Sequence, residues 1–332
     1  MWQSPVGERS PAPTSLFLCL YDRGRRHKKS ARKPRLSDAA IQDTFIALGN
    51  GDTLHKYYTM PSMGMQAKSK RKYCYASFMK RFTGHMEEWG TFLDVKHWPK
   101  IKNPKKFAGQ RIVIGSVTDG YNPQEEQFGN TRKLLEQLRG SGADILICTK
   151  SDLVVRDIDL LKELGQVTVS WSINTLDEDF KDDMDNAVSI KRRLEAMKQV
   201  YDAGIRTVCF VAPVFPGITD FEAIFERVKG QCDLFWLENL NLRGSFKKTI
   251  MDYIAEKHFD LVPLYDEIYN KHNRSYFKAL EEKAKEMARK YDCLFVDNEM
   301  PYGRVPQGHP VIVDYFYHEE VRGTKNTGKR NK

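Results

Sequence analysis

Between residues 111 and 242 the chain alternates two hydrophobic patterns. Short runs of β-branched and aromatic residues are apolar at nearly every position. Each is followed by a segment whose apolar residues recur three or four apart. The runs predict strands over 111–119 (RIVIGSVTD), 144–151, 166–175, 206–214 and 232–242. The segments between them predict helices over 130–142, 157–164, 189–204 and 220–230. A strand that is apolar at successive positions is buried on both faces, as in a parallel sheet covered by helices. The order therefore predicts an α/β fold, a partial (β/α)6 barrel of TIM type, with one further strand expected before Cys74. A doubly wound open sheet competes with it. That fold would carry a GxGxxG turn after a strand, and none follows one here.

Outside this block the pattern changes. Residues 244–290 read as helical, 293–299 as a late strand, and 311–320 (VIVDYFYHEE) as an aromatic closing segment. Residues 1–70 show no sustained period. GERSPAPTS and SARKPRLS read as disordered linker, and DAAIQDTFIAL as a short helix. The expected organisation is a basic arm over 1–66, a barrel over 67–243, a helical extension over 244–320 and a frayed tail over 321–332. Charge follows the same seam. The formal net charge is +9, and residues 1–73 hold 14 Lys/Arg against 5 Asp/Glu; the remainder holds 39 of each sign. The body thus has no overall bias toward phosphates, and RGRRHKKSARKPR (23–35) is the nucleic-acid candidate.

No apolar run reaches the ~20 residues that span a bilayer. SLFLCLY (15–21) is too short, and lacks the preceding basic segment, for a signal peptide. Cysteines at 19, 74, 148, 209, 232 and 293 form no CxxC pair. They suit a reducing cytoplasm, most of them as buried small hydrophobes. His85, His97 and His258 have no metal-like spacing and read as packed or surface histidines.

In parallel α/β folds ligands meet the carboxyl ends of the strands. Those ends are rich in polar groups here. Ser116, Thr118, Asp119, Tyr121 and Glu125 follow the first strand; Thr149, Lys150 and Ser151 follow the second. Ser170, Ser172, Asn174 and Thr175 close the third; Glu238, Asn239, Asn241 and Arg243 close the last. Asp119 and Asp220 could be simple helix caps. A converging rim of this kind suits a zwitterion that carries a ribose: carboxylate to Lys150, ammonium to Asp119, hydroxyls to Ser172 and Asn174.

The stretches YCYASFMKRFTGHMEEWG, IGSVTDGYNPQEEQFGN, TKSDLVVRDIDLL, VSWSINTLDEDF, PVFPGITD, WLENLNLRGS and VDYFYHEE carry a resemblance. Over about residues 72–320 the chain resembles the radical S-adenosylmethionine (SAM) superfamily, in its spore photoproduct lyase-like branch. It is most similar to the proteins called radical SAM mobile pair protein B. The resemblance implies SAM and a [4Fe–4S] cluster as cofactors, and reductive cleavage of SAM to a 5′-deoxyadenosyl radical. It further implies SAM contacts from Tyr75, Thr118, Asp119, Lys150 and Ser172, with Glu238 and Asn239 at the floor or the substrate. The implied partners are a reductant such as flavodoxin or ferredoxin, a partner radical SAM protein, or nucleic acid; no membrane is implied.

The superfamily holds its cluster with CxxxCxxC, because a short loop must aim three thiolates at one cube. Cys74 stands at the third position. Ala67 and Arg71 stand at the first and second, and neither binds iron. Two accounts compete. Either the lineage has lost its cluster, or the coding sequence is misjoined upstream of about residue 70. The second explains together the seam, the unreadable first segment and its charge. Finding no glycine–cysteine start of a cluster motif in the other upstream frames would defeat it. Three function classes follow: a radical SAM enzyme lineage, a non-catalytic barrel that binds SAM or a partner, and nucleic-acid binding through the arm.

Overall fold

The computed structural model describes residues 47–48, 86–87, 100–116, 118–242, 246–297 and 310–317. Cys74 and Tyr75 lie outside these, as do His85, His97 and nearly all of the expected basic arm. The elements run β1 Ala47–Leu48, β2 Arg111–Ile114, α1 Glu125–Phe128, α2 Asn130–Gln137, β3 Asp144–Thr149, α3 Ile158–Leu164, β4 Val167–Ser172, α4 Glu178–Met184 and α5 Ile190–Asp202. They continue with β5 Arg206–Val214, α6 Phe221–Val228, β6 Leu234–Asn239, α7 Phe246–Lys257, α8 Val262–Tyr269, α9 Ser275–Lys290, β7 Leu294–Val296 and β8 Val311–Asp314.

The described strands form one sheet in the order β1-β2-β3-β4-β5-β6-β8-β7. From β2 onward every neighbouring pair is parallel. This is the expected α/β architecture, a partial barrel of the TIM type. The strand expected before Cys74 differs from the expectation. Ala47–Leu48 pairs antiparallel with β2 over two residues, where a βα repeat would place a parallel strand. It also takes the last two positions of the helix expected over DAAIQDTFIAL, whose other residues lie outside the described set.

The sheet separates two cores, as strand alternation requires. On the outer face Ile112, Ile145, Val169, Val211 and Leu237 pack against Leu134, Leu160, Leu194 and Phe225 of the helices. On the inner face Val113, Leu146, Phe210, Trp236 and Val313 pack together. A third cluster closes part of the carboxyl end, where Phe180 and Met184 of α4 meet Phe215, Leu240 and Ile254. His258 sits beside this lid, 5.6 Å from the Tyr253 ring and 6.3 Å from Phe180, a packed histidine as expected. Side chains cap three of the helices: Asp177 accepts from Asp179 N, Ser189 from Arg192 N and Asp220 from Ala223 N. No helix among the described residues is long and apolar enough to cross a membrane.

Candidate functional site

The strand ends build the site in layers. β4 turns Thr168, Ser170 and Ser172 inward, because Val167, Val169 and Trp171 face the helices. In register, Cys148 of β3 lies beside Ser170, and Phe210 of β5 beside Ser172. Ser172 and Cys148 are half-buried, whereas Ser170 below them is 1% exposed with no hydrogen-bond partner for its hydroxyl among the described residues. Glu238 shares the inward parity of Trp236 on β6.

β2 stops early because Gly115 turns the chain at φ +87°. A Cβ at Gly115 would lie 2.1 Å from the Cys148 carbonyl oxygen, so the two backbones touch there. Gly115→Ala should cost about 3 kcal/mol, from the clash added to the left-handed backbone. Gly140→Ala isolates the second term: φ is +65° and the space is open, so about 1 kcal/mol is expected. Urea unfolding midpoints of the two variants check the difference.

The segment after Gly115 carries Thr118 and Asp119. Asp119 is not a helix cap. Its Oδ1 accepts from Tyr121 N at 2.9 Å and Thr149 Oγ1 at 2.7 Å, and its Oδ2 from Lys150 N at 2.7 Å. It therefore staples the β2 loop to the end of β3. Thr118 is 2% exposed, and its Oγ1 has no hydrogen-bond partner among the described residues. Lys150 Nζ contacts Asp185 Oδ2 at 2.5 Å, and Asp185 Oδ1 contacts Arg193 Nη2 at 2.9 Å. Arg193 Nη1 donates to the Ser172 carbonyl at 3.0 Å, joining this chain of charges to β4.

Burial pushes the Cys148 thiol up to about 12, with the charges of Asp119 and Glu238 adding to the effect. Both carboxylates thus act on one point of the inner wall. Asp119, Lys150, Ser172 and Glu238 stand at or just past the carboxyl ends of β2, β3, β4 and β6, with Thr118 next to Asp119 in the chain. Two other expected residues have partners of their own. Asn239 Oδ1 accepts from Tyr317 N at 2.7 Å, on the parity opposite to Glu238. The Asn174 carbonyl accepts from Thr219 Oγ1 at 2.9 Å, beyond the end of β4. Asp185 and Arg193 escaped sequence reading. Arg193 did leave a signal: it stands on the apolar stripe Ile190, Leu194, Met197, where a buried cation requires a counter-charge.

With this geometry the comparisons can be read. Residues 72–228 match the model of the Radical SAM superfamily. An uncharacterised protein of Methanocaldococcus jannaschii is 35% identical over 176 residues, 52% of this chain and 67% of that protein. The chain belongs to the radical SAM superfamily. It is also 26% identical over 162 residues to the radical SAM Nalpha-GlyT isomerase of Pseudomonas phage M6, spanning 47% of this chain and 33% of that enzyme. Among solved structures it is similar to spore photoproduct lyase complexed with dinucleoside spore photoproduct, with TM-score 0.42 at 15% identity, covering 63% of this chain and 62% of that one. The chain spans about two thirds of the archaeal relative and a third of the phage enzyme, by the shares of 67% and 33%.

The superfamily's cofactors are a [4Fe–4S] cluster and SAM. The donor set does not fit the cluster. Cys74 lacks thiolate companions at positions 67 and 71. Nor do the cysteines among the described residues replace them: burial pushes the Cys148, Cys209, Cys232 and Cys293 thiols upward, away from the thiolate form that iron needs. For SAM the rim does fit. It offers the Lys150 cation, the Asp119 and Glu238 carboxylates, and a buried Thr118 hydroxyl that has no hydrogen-bond partner among the described residues.

Proposed function

We propose that this chain binds S-adenosylmethionine at the carboxyl rim of its barrel, and that as written it does so without a cluster. The observation that carries this reading is the polarity of the rim. The Lys150 ammonium ends a charge cluster with Asp185 and Arg193, and the charges of Asp119 and Glu238 both act on Cys148. A zwitterionic amino acid with a ribose matches that order of charges, and the Thr118, Ser172 and Ser170 hydroxyls suit its oxygens. SAM brings a sulfonium and the adenosyl group; the residues here bind and orient it. Asp119 holds the β2 loop against β3, and burial, with the charges of Asp119 and Glu238 adding to it, keeps the Cys148 thiol protonated. Calorimetric titration of the full chain with SAM should give saturable binding, weakened about tenfold in Lys150→Met, the size expected for one lost charge-assisted contact. Absence of both heat and thermal stabilisation would overturn the reading.

Loss of the cluster has its own test. Anaerobic reconstitution of this chain with iron and sulfide should leave it colourless. Restoring the motif as Ala67→Cys with Arg71→Cys should give a brown, cluster-bearing protein. A colourless double variant would show that more than two ligands is missing. Superfamily members generally need a reductant, so a flavodoxin or ferredoxin belongs with the restored chain and has no electron acceptor in the present one.

A second reading concerns nucleic acid. Residues 1–73 hold 14 Lys/Arg against 5 Asp/Glu, which accounts for the whole net charge of +9. Binding to duplex or single strands that weakens steeply with salt, and vanishes on deleting residues 1–66, would assign it to that arm and not to the barrel.

A further inference from the structure

The Lys150–Asp185–Arg193 cluster contains more charge than the rim contact needs. Asp185 is 4% exposed, in the loop between α4 and α5. Both of its oxygens are engaged: Oδ2 with Lys150 Nζ at 2.5 Å, Oδ1 with Arg193 Nη2 at 2.9 Å and with Ala187 N at 3.0 Å. Arg193 is 1% exposed and clamps the same loop by donating from Nε to the Val188 carbonyl at 2.9 Å, and from Nη1 to the Ser172 carbonyl at 3.0 Å. Two cations around one carboxylate leave a net positive charge. That charge is presented at Lys150, because the Lys150 side chain is 23% exposed while those of its partners are 5% and 1%.

A lysine stem has four rotatable carbons, so an exposed ammonium is a poor device for fixing a ligand. Here the ammonium is anchored at its tip. Asp185 in turn is held by a buried arginine tied to the backbone of β4. The chain of contacts ties the residue after β3 to the end of β4 and to the loop before α5. We infer that Asp185, braced by Arg193, is a positioning residue that fixes Lys150 to receive the carboxylate of the bound S-adenosylmethionine. This rests on the SAM-binding reading above, and gives it a specificity determinant that no strand-end residue supplies.

Simple charge counting predicts the opposite sign, which makes the inference testable. Asp185→Asn raises the charge of the cluster, so an unanchored Lys150 would attract a carboxylate more strongly. Positioning predicts weaker binding. The full chain and its variants are titrated calorimetrically with SAM and with decarboxylated SAM. The unmodified chain should prefer SAM about tenfold, one charge-assisted contact. Lys150→Met and Asp185→Asn should each abolish the preference, leave affinity for the decarboxylated form within about twofold, and show no additivity in the double variant. Asp185→Glu keeps the charge and guards against misfolding of the Asn variant; it should keep part of the preference. Retention or strengthening of SAM binding in Asp185→Asn, with loss in Lys150→Met, overturns the inference and leaves the SAM reading intact. Equal binding of the two forms by the unmodified chain overturns the inference alone, and a chain that binds neither overturns both. Competitive amine labelling read by mass spectrometry gives an independent check. Lys150 should label several-fold faster in Asp185→Asn than in the unmodified chain, and equal rates would show that Asp185 does not hold it.

Discussion

Asp157→Ala should lower stability by about 3 kcal/mol, the size expected when a buried carboxylate is removed from its cations. Asp157 and Glu125 are both fully buried. Asp157 Oδ1 accepts from Arg132 Nη1 and Arg156 Nε, each at 2.8 Å, and its Oδ2 from Tyr121 Oη and Arg156 Nη2, each at 3.0 Å. Glu125 completes the cage, accepting from Arg156 Nη2 at 2.9 Å, Thr131 N at 2.9 Å and Arg132 N at 3.1 Å. The cage fixes the loop DGYNPQE between the end of β2 and α1. Removing Asp157 leaves a tyrosine hydroxyl buried without its acceptor and two guanidiniums without a shared anion. Asp159 also contacts Arg132, at 3.1 Å, but its side chain is 60% exposed. Asp159→Ala should therefore leave stability nearly unchanged. Urea unfolding midpoints of the two alanine variants measure the contrast. Because Asp119 and Thr118 belong to the caged loop, Asp157→Ala should also weaken SAM binding while Asp159→Ala should not. Equal midpoints for the two would mean that the cage does not hold the loop.

The α/β pattern was legible because parallel strands between helices are apolar on both faces, and helices are apolar on one. Strand 206–214 is observed as Arg206–Val214. Strand 111–119 ends at Ile114, since Gly115 bends toward the Cys148 carbonyl, a long-range contact that composition does not show. The same limit applies to the site. Density of polar residues at strand ends pointed to a rim, but strand parity decides which residues reach it. Glu238 and Asn239 are neighbours in sequence and face opposite ways, one toward Cys148 and the other toward Tyr317. Asp119 read as a cap or an ammonium ligand; it caps no helix, and its oxygens accept from Tyr121 N, Thr149 Oγ1 and Lys150 N. Asp185 was invisible because its partners lie 35 and 8 residues away in the chain. The antiparallel β1 was illegible, as two residues carry no period.

Between pH 5 and pH 8 this protein should lose stability as the pH rises, and Asp314→Asn should remove most of that loss. Asp314 ends β8 in the apolar run VIVDYF and is 4% exposed. Its Oδ1 accepts from Phe316 N at 2.7 Å. Burial raises its carboxyl from the ordinary 3.8 to about 7; the Phe316 hydrogen bond opposes this, Glu281 and Asp297 add to it, and Lys285 opposes it. The folded state therefore keeps a proton that the unfolded chain releases once the pH passes the ordinary carboxylate value. The stabilisation is complete below that value and is lost as pH rises through about 7. Each pH unit inside the window is worth at most ~1.4 kcal/mol. Asp185 has the opposite sign. Burial alone would raise it, but the charges of Lys150 and Arg193 hold it well below the usual range, so its contribution is lost only in strong acid. The two windows do not overlap, so Asp185 adds nothing to a fall in stability from pH 5 to 8, and the Asn variant isolates the share that Asp314 carries. Asparagine keeps the acceptor for Phe316 N and cannot ionise. The Asn variant should match the unmodified chain only near the ordinary carboxylate value of 3.8, exceed it by a margin that grows from pH 5 to about 7 and then holds to pH 8, and itself show a flat profile over that range. Thermal unfolding of both chains across that range decides the matter, and parallel slopes would show that Asp314 is ionised in the folded state throughout.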